Sequence, residues 1–299
     1  MAQGRTATLP TTVREVRKLC RANLWDAPTS GVAPGYLQAN LIVLPAEFAP
    51  DFEILCARNT VPCPLLAISK APGDFTNFQS RMPGIADSQI AFGLDIRHDL
   101  PRYNVYKDGV LVADHIDSLE KHWDPKDHVA FLIGCSFSFE DALTKAGLPP
   151  AHIARDCTVP MYRTKIPLCP AGAFTGSKYV VSMRYYHESE VSLVRDVTRR
   201  FIATHGEPIA WGWDSLETLG ITNIDRPDWG DPPVIADDSV VVRSVEEHKT
   251  DGIVPVFWGC GVTPQEAVMK ARIPGIVMGH APGHMLVMDV KEADVFRPS

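Results

Sequence analysis

The sequence predicts an α/β protein with a three-layer α/β core and a smaller α+β domain. Three observations support this fold class. Short apolar runs typical of buried strands alternate with amphipathic segments typical of helices. No low-complexity linker interrupts the 299 residues, which suffice for one large domain or two modest ones. One stretch of the chain also occurs twice, so we expect the core to hold two repeated strand–Gly-Cys–helix units.

The repeated stretch covers residues 131–149, FLIGCSFSFEDALTKAGLP, and residues 256–274, VFWGCGVTPQEAVMKARIP. The two copies align without a gap, and enough pairs are identical to suggest an internal repeat. The identical pairs are Gly134/Gly259, Cys135/Cys260, Ala142/Ala267, Lys145/Lys270, Ala146/Ala271 and Pro149/Pro274.

Both copies have the same local pattern. Each begins with an apolar run of strand length, residues 129–133 or 253–258, and then breaks at Gly-Cys. A helix-start pattern follows in each copy. Ser138 is the expected cap of the first helix, and Thr263 followed by Pro264 is the expected cap of the second.

Cys135 and Cys260 are therefore expected between a strand and a helix N-terminus. Unpaired backbone N–H groups at such a position lower the pKa of a thiol and favour anion binding. The alternative is a tight turn with a small buried cysteine, which is the commonest role of a free cysteine. The same context in two copies favours a functional site.

The charge balance excludes several classes of partner. The chain has 29 basic and 36 acidic side chains, a net charge of −7, and no dense Lys/Arg cluster, so neither nucleic acid nor an anionic membrane is expected. No apolar run approaches the roughly 20 residues of a membrane span, and the N-terminus lacks the pattern of a signal peptide. Acidic enzymes of this size often form dimers, so a homodimer is one expectation.

The cysteines indicate a cytoplasmic protein, and no cofactor motif is found. Seven cysteines, an odd number without small-scaffold spacing, indicate reduced thiols in a cytoplasmic protein. The sequence has no P-loop, GxGxxG or zinc-knuckle pattern, so no cofactor is predicted.

Local patterns predict the elements of the first half in order. Thr12 begins a helix that ends near Arg21, and Asp108-Gly109 between alternating runs predicts a hairpin. Residues 72–101 are rich in turn residues and poor in strand patterns. The remaining predictions are a loop at 31–35, a short strand or turn at 41–44, a strand at 65–68 and a helix at 49–59.

The second half is predicted in the same way. Its strands are expected at 159–164, 179–184 and 239–243, and its longest helix at 188–205, where apolar residues recur on one face. Residues 211–233 are loop-like. We assign residues 1–150 and 235–299 to the α/β core with both Gly-Cys loops, and residues 151–234 to the smaller α+β domain.

Two arginines at the ends of apolar runs are candidates for substrate binding. Arg163 and Arg184 are placed to recognise a carboxylate through two parallel hydrogen bonds. The alternative for either one is a structural ion pair with an acidic side chain. Ser136, beside the first Gly-Cys pair, and Thr164, beside Arg163, join them as substrate-binding candidates.

Other candidates are less specific. His280 and His284 flank Pro-Gly, which prevents a shared helix face, but one turn could bring them together as acid and base or as ligands of a divalent metal. Nothing in their spacing requires a metal, and hydrogen-bonded loop histidines are the alternative. Glu140 is a proton-transfer candidate that would also stabilise a helix N-terminus.

A loop-rich stretch supplies the last three candidates. Trp211 could line a pocket or cover the edge of a core. Asp214 and Asp231 lie close to it in sequence and are the natural carboxylates there, although loop aspartates usually form turns.

The chain resembles the family of proteins named putative hydro-lyases, which is itself similar to the N-terminal part of mitochondrial D-glutamate cyclase. The matching stretches span most of residues 14–289. They are GYLQANLIVLP (35–45), CARNTVPCPLL (56–66), DLPRYNVYKDG (99–109), FLIGCSFSFE (131–140), VPMYRT (159–164), VVSMR (180–184), VPVFWGCGVTPQ (254–265) and HAPGHMLVMD (280–289).

The resemblance implies a two-part α/β and α+β fold without a known organic cofactor. The chain departs from the family pattern at two places. Ala210-Trp-Gly-Trp-Asp214 stands where His-x-Gly-Asp-Pro is expected, and Tyr185 stands where proline follows VVSMR. If these segments line the site, the substrate differs from that of the relatives.

The repeated loop and the resemblance together support a hydro-lyase that acts on a small carboxylic acid by proton abstraction next to the carboxylate. Arg163 and Arg184 would hold the carboxylate, and helix N-termini would stabilise developing negative charge. The groups that would move protons are Cys135, Cys260, Glu140, His280 and His284. One alternative is a cofactor-independent cyclase or racemase of an amino acid such as glutamate, and another is a non-catalytic protein that binds a small acid.

Overall fold

The computed structural model describes residues 12–155, 157–234, 249 and 251–296. Residues 1–11 and the predicted strand at 239–243 lie outside that part of the chain. The strands are β1 (Tyr36–Pro45), β2 (Leu65–Ser69), β3 (Phe78–Ser80), β4 (Tyr103–Lys107), β5 (Val110–Ile116), β6 (His128–Gly134), β7 (Met161–Pro167), β8 (Lys178–His187), β9 (Ala210–Trp211), β10 (Ile253–Gly259), β11 (Ile276–His280) and β12 (Leu286–Lys291). The helices are α1 (Val13–Arg21), α2 (Ala49–Arg58), α3 (Glu140–Lys145), α4 (Ala151–Ala154), α5 (Val191–Thr198), α6 (Ser215–Leu219) and α7 (Val262–Ala271).

These strands form two antiparallel sheets. The larger sheet has the order β3-β2-β6-β1-β11-β4-β5, and β12 also pairs with β1. The smaller sheet has the order β7-β8-β10-β9. The predicted mixed α/β character is confirmed. None of the helices in the described part of the chain has the length and apolar character needed to cross a membrane.

The strands that lead into the two Gly-Cys loops belong to different sheets. β6 lies in the larger sheet, whereas β10 pairs with β8 in the smaller one. The three-layer arrangement and the division into residues 1–150 with 235–299 and residues 151–234 stay predictions.

β1 is the central strand of the larger sheet. It pairs with β6 along one edge, and β11 and β12 share its other edge. Alternate residues face opposite sides of a strand. Residues 37, 39, 41 and 43 therefore enter one hydrophobic core, and Ile42 and Leu44 enter a second. In the second core Phe52 of α2 meets Phe131 edge-on, with ring centroids 4.7 Å apart.

Local signals predicted several elements correctly. The Thr12 hydroxyl accepts a hydrogen bond from the Glu15 N–H and caps α1. Asp108 and Gly109 both have positive φ, as a two-residue turn matched to the strand twist requires. The expected strands at 41–44 and 65–68 and the helix at 49–59 are present as β1, β2 and α2.

The helix predicted at 188–205 is shorter than its sequence pattern indicates. Its regular part is α5, with 3-10 turns at 188–190 and 202–204. The chain turns after Thr198 and buries the Phe201 ring 4.8 Å from that of Phe296, measured between centroids. Tertiary packing therefore overrides the helical pattern here.

Ser138 and Thr263 make the same backbone contacts in the two Gly-Cys units. The Ser138 hydroxyl accepts the Gln38 N–H of β1 at 2.9 Å, and the Thr263 hydroxyl accepts the Val180 N–H of β8 at 3.0 Å. Each hydroxyl also donates to the carbonyl of the same residue. The prediction that these two residues cap helices is wrong. A 3-10 turn begins at Ser136, and α7 begins at Val262, because both hydroxyls are already bound to the neighbouring strand.

We predict that Thr263→Val lowers the free energy of unfolding by about 1–3 kcal/mol, because it leaves the buried N–H of Val180 without a partner. Urea denaturation measures the change. Thr218→Val, at an exposed position of α6, is the matched control and should change stability by less than about 0.5 kcal/mol. Equal effects of the two substitutions would contradict the structural role of Thr263.

Candidate active site

The two Gly-Cys loops converge although they leave different sheets. Cys135 and Cys260 lie in one hydrophobic cluster. The Cys135 N–H donates to the Gln38 carbonyl and the Cys260 N–H donates to the Val180 carbonyl, each at 3.1 Å. Each loop is therefore fixed to the strand beside it in the same way, and the two thiols occupy matching positions.

Burial controls the ionisation of these thiols. It raises the pKa of Cys135 well above its usual range and that of Cys260 to about 11. The N–H groups of Phe137 and Val262 lower the two pKa values, but their effect is smaller than that of lost hydration. The expectation of lowered thiol pKa values is therefore wrong, and both cysteines are protonated near neutral pH.

Each loop also contacts the strand to which the other loop is fixed. The Asn40 Nδ2 of β1 donates to the Gly134 carbonyl at 3.0 Å, and a Cβ at Gly261 would lie 1.9 Å from this nitrogen. Position 261 must therefore be glycine while Asn40 holds its place. On the first loop, the Ser136 hydroxyl accepts a hydrogen bond from Arg184 Nη2 of β8 at 3.2 Å.

Arg184, Glu140 and His152 form a cluster beside the first loop, which we call the buried triad. Arg184 Nη2 donates to Glu140 Oε1 at 2.6 Å, and His152 Nε2 lies 2.9 Å from the same oxygen. No side chain of the three is more than 3% exposed. Ser30 donates to the other carboxylate oxygen at 3.0 Å, so both oxygens of Glu140 have partners.

Opposite charges decide the ionisation of Glu140. Burial by itself would raise the pKa of this carboxyl, but His152 and Arg184 beside it hold the pKa well below its usual range. Glu140 is therefore ionised at neutral pH and is a weak proton acceptor.

Arg184 retains an unused donor. Its guanidinium lies over the rings of Phe139 and Trp258, with 5.3 Å from Cζ to each centroid. Its Nε is buried and has no hydrogen-bond partner among the described residues. A carboxylate oxygen of a bound acid would satisfy this N–H, which agrees with the chemistry expected of Arg184 from the sequence.

Two cavities border the buried triad. A small one of about 10 Å³, with room for about one water, is lined by Arg184, His152 and Tyr185 among others. A larger one of about 190 Å³ is lined by Glu140, Phe137 and the loop at 31–35. The triad therefore borders both cavities. Tyr185, which departs from the family pattern, lines the smaller one.

The histidines of the HAPGH turn are not equivalent. His280 Nδ1 accepts the Leu41 N–H at 3.1 Å, and burial lowers the pKa of its ring to about 4. The nitrogens of His284 instead lie 2.8 and 3.1 Å from the carbonyls of Pro282 and Asp26. No group of three or more His, Cys, Asp or Glu side chains in the described residues is arranged to hold a metal ion.

Arg163 lies at the surface and is held by two carboxylates. Its guanidinium bonds Glu266 of α7 at 2.8 Å and Asp228 at 2.9 Å, and its side chain is 40% exposed. Among the described residues Arg163 therefore forms a structural ion pair, which was the alternative to substrate binding. Thr164 faces away from it, donating to the Tyr179 carbonyl at 3.0 Å.

The remaining three candidates make contacts with other residues. Trp211 of β9 is 43% exposed and lies under the guanidinium of Arg195. Asp214 precedes α6, and Asp231 accepts the Thr158 N–H at 2.7 Å. The two aspartates thus behave as loop and helix-start residues.

Sequence reasoning missed His152, Ser30, Gln38 and Asn40. The two amides could have been found, because Gln38 and Asn40 interrupt the apolar run YLQANLIVLP, and buried polar residues in a central strand need partners. His152 follows a Pro-Pro pair in a short helix, and no local pattern links it to Glu140.

The chain is similar to known proteins over almost its whole length. The model of the D-glutamate cyclase family matches residues 129–289, which include both Gly-Cys loops. A protein of Geobacillus kaustophilus named putative hydro-lyase is 44% identical over 96% of this chain and 97% of its own. Proteins of the same name from Schizosaccharomyces pombe and Bordetella petrii are 41% and 45% identical, over 92% and 93% of this chain and 83% and 94% of theirs.

We predict that Glu140→Gln lowers the free energy of unfolding at neutral pH by about 3–5 kcal/mol, because it leaves the buried charge of Arg184 without its partner. The folded state holds the Glu140 pKa below its unfolded value of about 4.3. The contribution of the ionised carboxylate is therefore complete above that value and is lost as pH falls toward about 2.

Urea denaturation of wild type and Glu140→Gln at about pH 7, 5 and 3.5 measures this dependence, and the difference between the two should shrink only at the lowest pH. Glu217→Gln, at an exposed position of α6, should match wild type throughout. A difference that is independent of pH would contradict an ionised Glu140.

Proposed function

The chain belongs to the D-glutamate cyclase family, a family of enzymes, and from this premise we propose that it removes water from a small carboxylic acid by closing a ring. The proposed substrate is D-glutamate or a close relative, and the product is the corresponding 5-oxoproline. The observation that carries the proposal is the buried Arg184, whose Nε–H has no partner among the described residues and whose positive charge acts on both Gly-Cys thiols.

Ring closure and hydro-lyase chemistry are compatible. The amino nitrogen attacks the carbon of the side-chain carboxylate, so that one C–N bond forms and one C–O bond breaks. Two protons leave the ammonium nitrogen and two arrive at the departing oxygen, which leaves as water. No α-proton has to be removed in this reaction.

Arg184 binds the reacting carboxylate in this proposal. Its Nε–H donates to one carboxylate oxygen, and its positive charge stabilises the negative charge of the tetrahedral intermediate. Glu140 and His152 position the guanidinium, since the low pKa of Glu140 makes it a poor proton carrier. Ser136 holds the same guanidinium from the loop.

The thiols act as acids in this proposal and not as thiolate bases. Burial keeps Cys135 and Cys260 protonated, and a protonated thiol cannot take a proton from carbon. The Cys260 thiol is the better acid of the two and donates to the departing oxygen. The resulting thiolate is stabilised by the Val262 N–H and by Arg184, the two groups that lower its pKa.

We further propose that the two Gly-Cys units are copies of one ancestral unit. The proposal is supported by the matching bonds of Ser138 and Thr263 and of the two cysteine N–H groups. The strand register agrees as well, because Gly134 pairs with Ala39 of β1 and Gly259 pairs with Val181 of β8.

A racemase is the second candidate. It is favoured by the presence of two thiols in one cluster on loops that come from different sheets. One thiol would then remove the α-proton and the other would return a proton to the opposite face. This outcome requires a thiolate, which the burial of both cysteines disfavours.

We predict that the purified protein converts D-glutamate to 5-oxoproline in D2O with the α-proton retained, as followed by proton NMR. L-Glutamate and 2- and 3-hydroxy acids are the comparison substrates. Loss of the α-proton signal without ring closure would instead establish a racemase, and olefinic protons would establish dehydration of a hydroxy acid. No turnover of any acid, with a raised melting temperature for one, would indicate a binding protein.

We predict that Arg184→Lys raises KM for D-glutamate about tenfold or more, because lysine keeps the charge beside Glu140 but lacks the Nε–H and the planar fork. Steady-state kinetics measure KM and kcat separately. Arg199→Lys, at an exposed ion pair with Asp196, is the control and should leave KM unchanged. An unchanged KM in Arg184→Lys would remove Arg184 from the substrate-binding site.

A further inference from the structure

The larger cavity beside the buried triad has no role in the chemistry above. It lies between the loop at 31–35, β1 and α3. Phe137, whose N–H contacts the Cys135 thiol, lines this cavity, and so does Glu140. The cavity therefore adjoins the first Gly-Cys loop directly.

One buried acceptor at this cavity lacks a donor. Gln38 lines the cavity and is 2% exposed. Its Nε2 donates to the carbonyls of Thr29 and Val32 at 2.8 and 3.3 Å. These carbonyls accept only from an N–H, so the orientation of the amide is fixed and Oε1 is the free atom. Among the described residues Oε1 has no hydrogen-bond partner, a costly state for a buried carbonyl oxygen.

The charges at the cavity are also those that a cation requires. Asp141 and Glu292 both line it. Lys145 pairs with Asp141 at 2.6 Å on the exposed side, whereas Glu292 is 8% exposed. Burial, together with the neighbouring Asp141, raises the pKa of Glu292 to about 8, so this carboxyl is largely protonated near neutral pH and ionises when a positive charge binds beside it. A donor with positive charge would satisfy these groups and Gln38 together.

The walls restrict the size and shape of the ligand. Val32, Phe137 and Ile153 contribute apolar surface, and the volume of about 190 Å³ admits a small molecule only. A primary ammonium on a short carbon chain has three N–H donors and an apolar stem, and both match this lining.

We propose that this cavity binds the primary ammonium group of the substrate, with Gln38 Oε1 and Glu292 as its acceptors. This inference rests on the proposed function for the identity of the substrate, but not for the binding of an amine. Glu292 then takes the proton that the ammonium must lose before its nitrogen attacks the carboxylate held by Arg184. The cavity thus presents the amino group to the carboxylate that Arg184 holds.

Thermal shift with simple probes tests the binding step. n-Butylamine, which is a cation at neutral pH, should raise the Tm of wild type, and 1-butanol of the same size should not. Gln38→Leu removes the free acceptor and should weaken n-butylamine binding about tenfold or more. Gln79→Leu, at an exposed position of β3 in the same sheet, should respond like wild type.

Glu292→Gln is the second variant, because Gln38→Leu also removes the bonds to Thr29 and Val32 and its folding is less assured. A neutral amide replaces a buried carboxylate at the same volume, so this variant should fold and lose its response to n-butylamine. Equal responses of wild type and Glu292→Gln, or equal responses of wild type to amine and alcohol, would overturn the inference.

Turnover separates this inference from the proposed function. If D-glutamate is not converted but n-butylamine still distinguishes wild type from Glu292→Gln, the ammonium site stands and the proposed function fails. If D-glutamate is converted with the same KM and kcat by wild type, Gln38→Leu and Glu292→Gln, the proposed function stands and the ammonium site fails.

Discussion

The ion pair between Arg184 and Glu140 connects the two sheets at the point where the candidate site forms. Arg184 belongs to β8 of the smaller sheet, and Glu140 begins the helix that follows β6 of the larger one. Two charges buried this deeply lose most of their hydration, and the pair is stable only if every remaining donor and acceptor is compensated. His152, Ser30 and Ser136 provide most of this compensation, and within the described part of the chain Arg184 Nε has no partner, which is why we propose it as the donor to a substrate carboxylate.

Both Gly-Cys units meet the same backbone requirement in the same way. A strand that ends beside a longer neighbour leaves an N–H of that neighbour unpaired. A hydroxyl three residues after the cysteine accepts a hydrogen bond from this N–H and shares the carbonyl of the same residue with the cysteine N–H; it belongs to Ser138 in one unit and to Thr263 in the other. The residue after each cysteine then contacts the strand beside the other loop, Ser136 through Arg184 and Gly261 through Asn40. The hydrogen bond of this hydroxyl to the neighbouring strand, and not a helix cap, explains the pattern that the two copies share.

Much of the fold and part of the site could be predicted from local sequence. Strands, hairpin and both loops follow from short-range patterns, and Arg184 follows from its place at the end of an apolar run. The contact of His152 with Glu140 depends on chain topology, which no local pattern contains. The sign of the thiol pKa shifts was missed because a helix N-terminus is visible in the sequence, whereas the depth of burial that outweighs it is not. Arg163 illustrates the same limit, since its partners Glu266 and Asp228 are distant in the chain.

The burial of the two loop cysteines also determines how the protein responds to thiol reagents. Alkylating agents and peroxides react with thiolates, and a buried protonated thiol offers them neither the reactive form nor access. Of the seven cysteines, Cys169 is exposed and five are buried, Cys135 and Cys260 among them. A maleimide dye should therefore attach first at Cys169, on the segment between β7 and β8, and leave the chemistry of the loops intact. That position offers a site for a spectroscopic probe that reports on the protein without the introduction of a new cysteine.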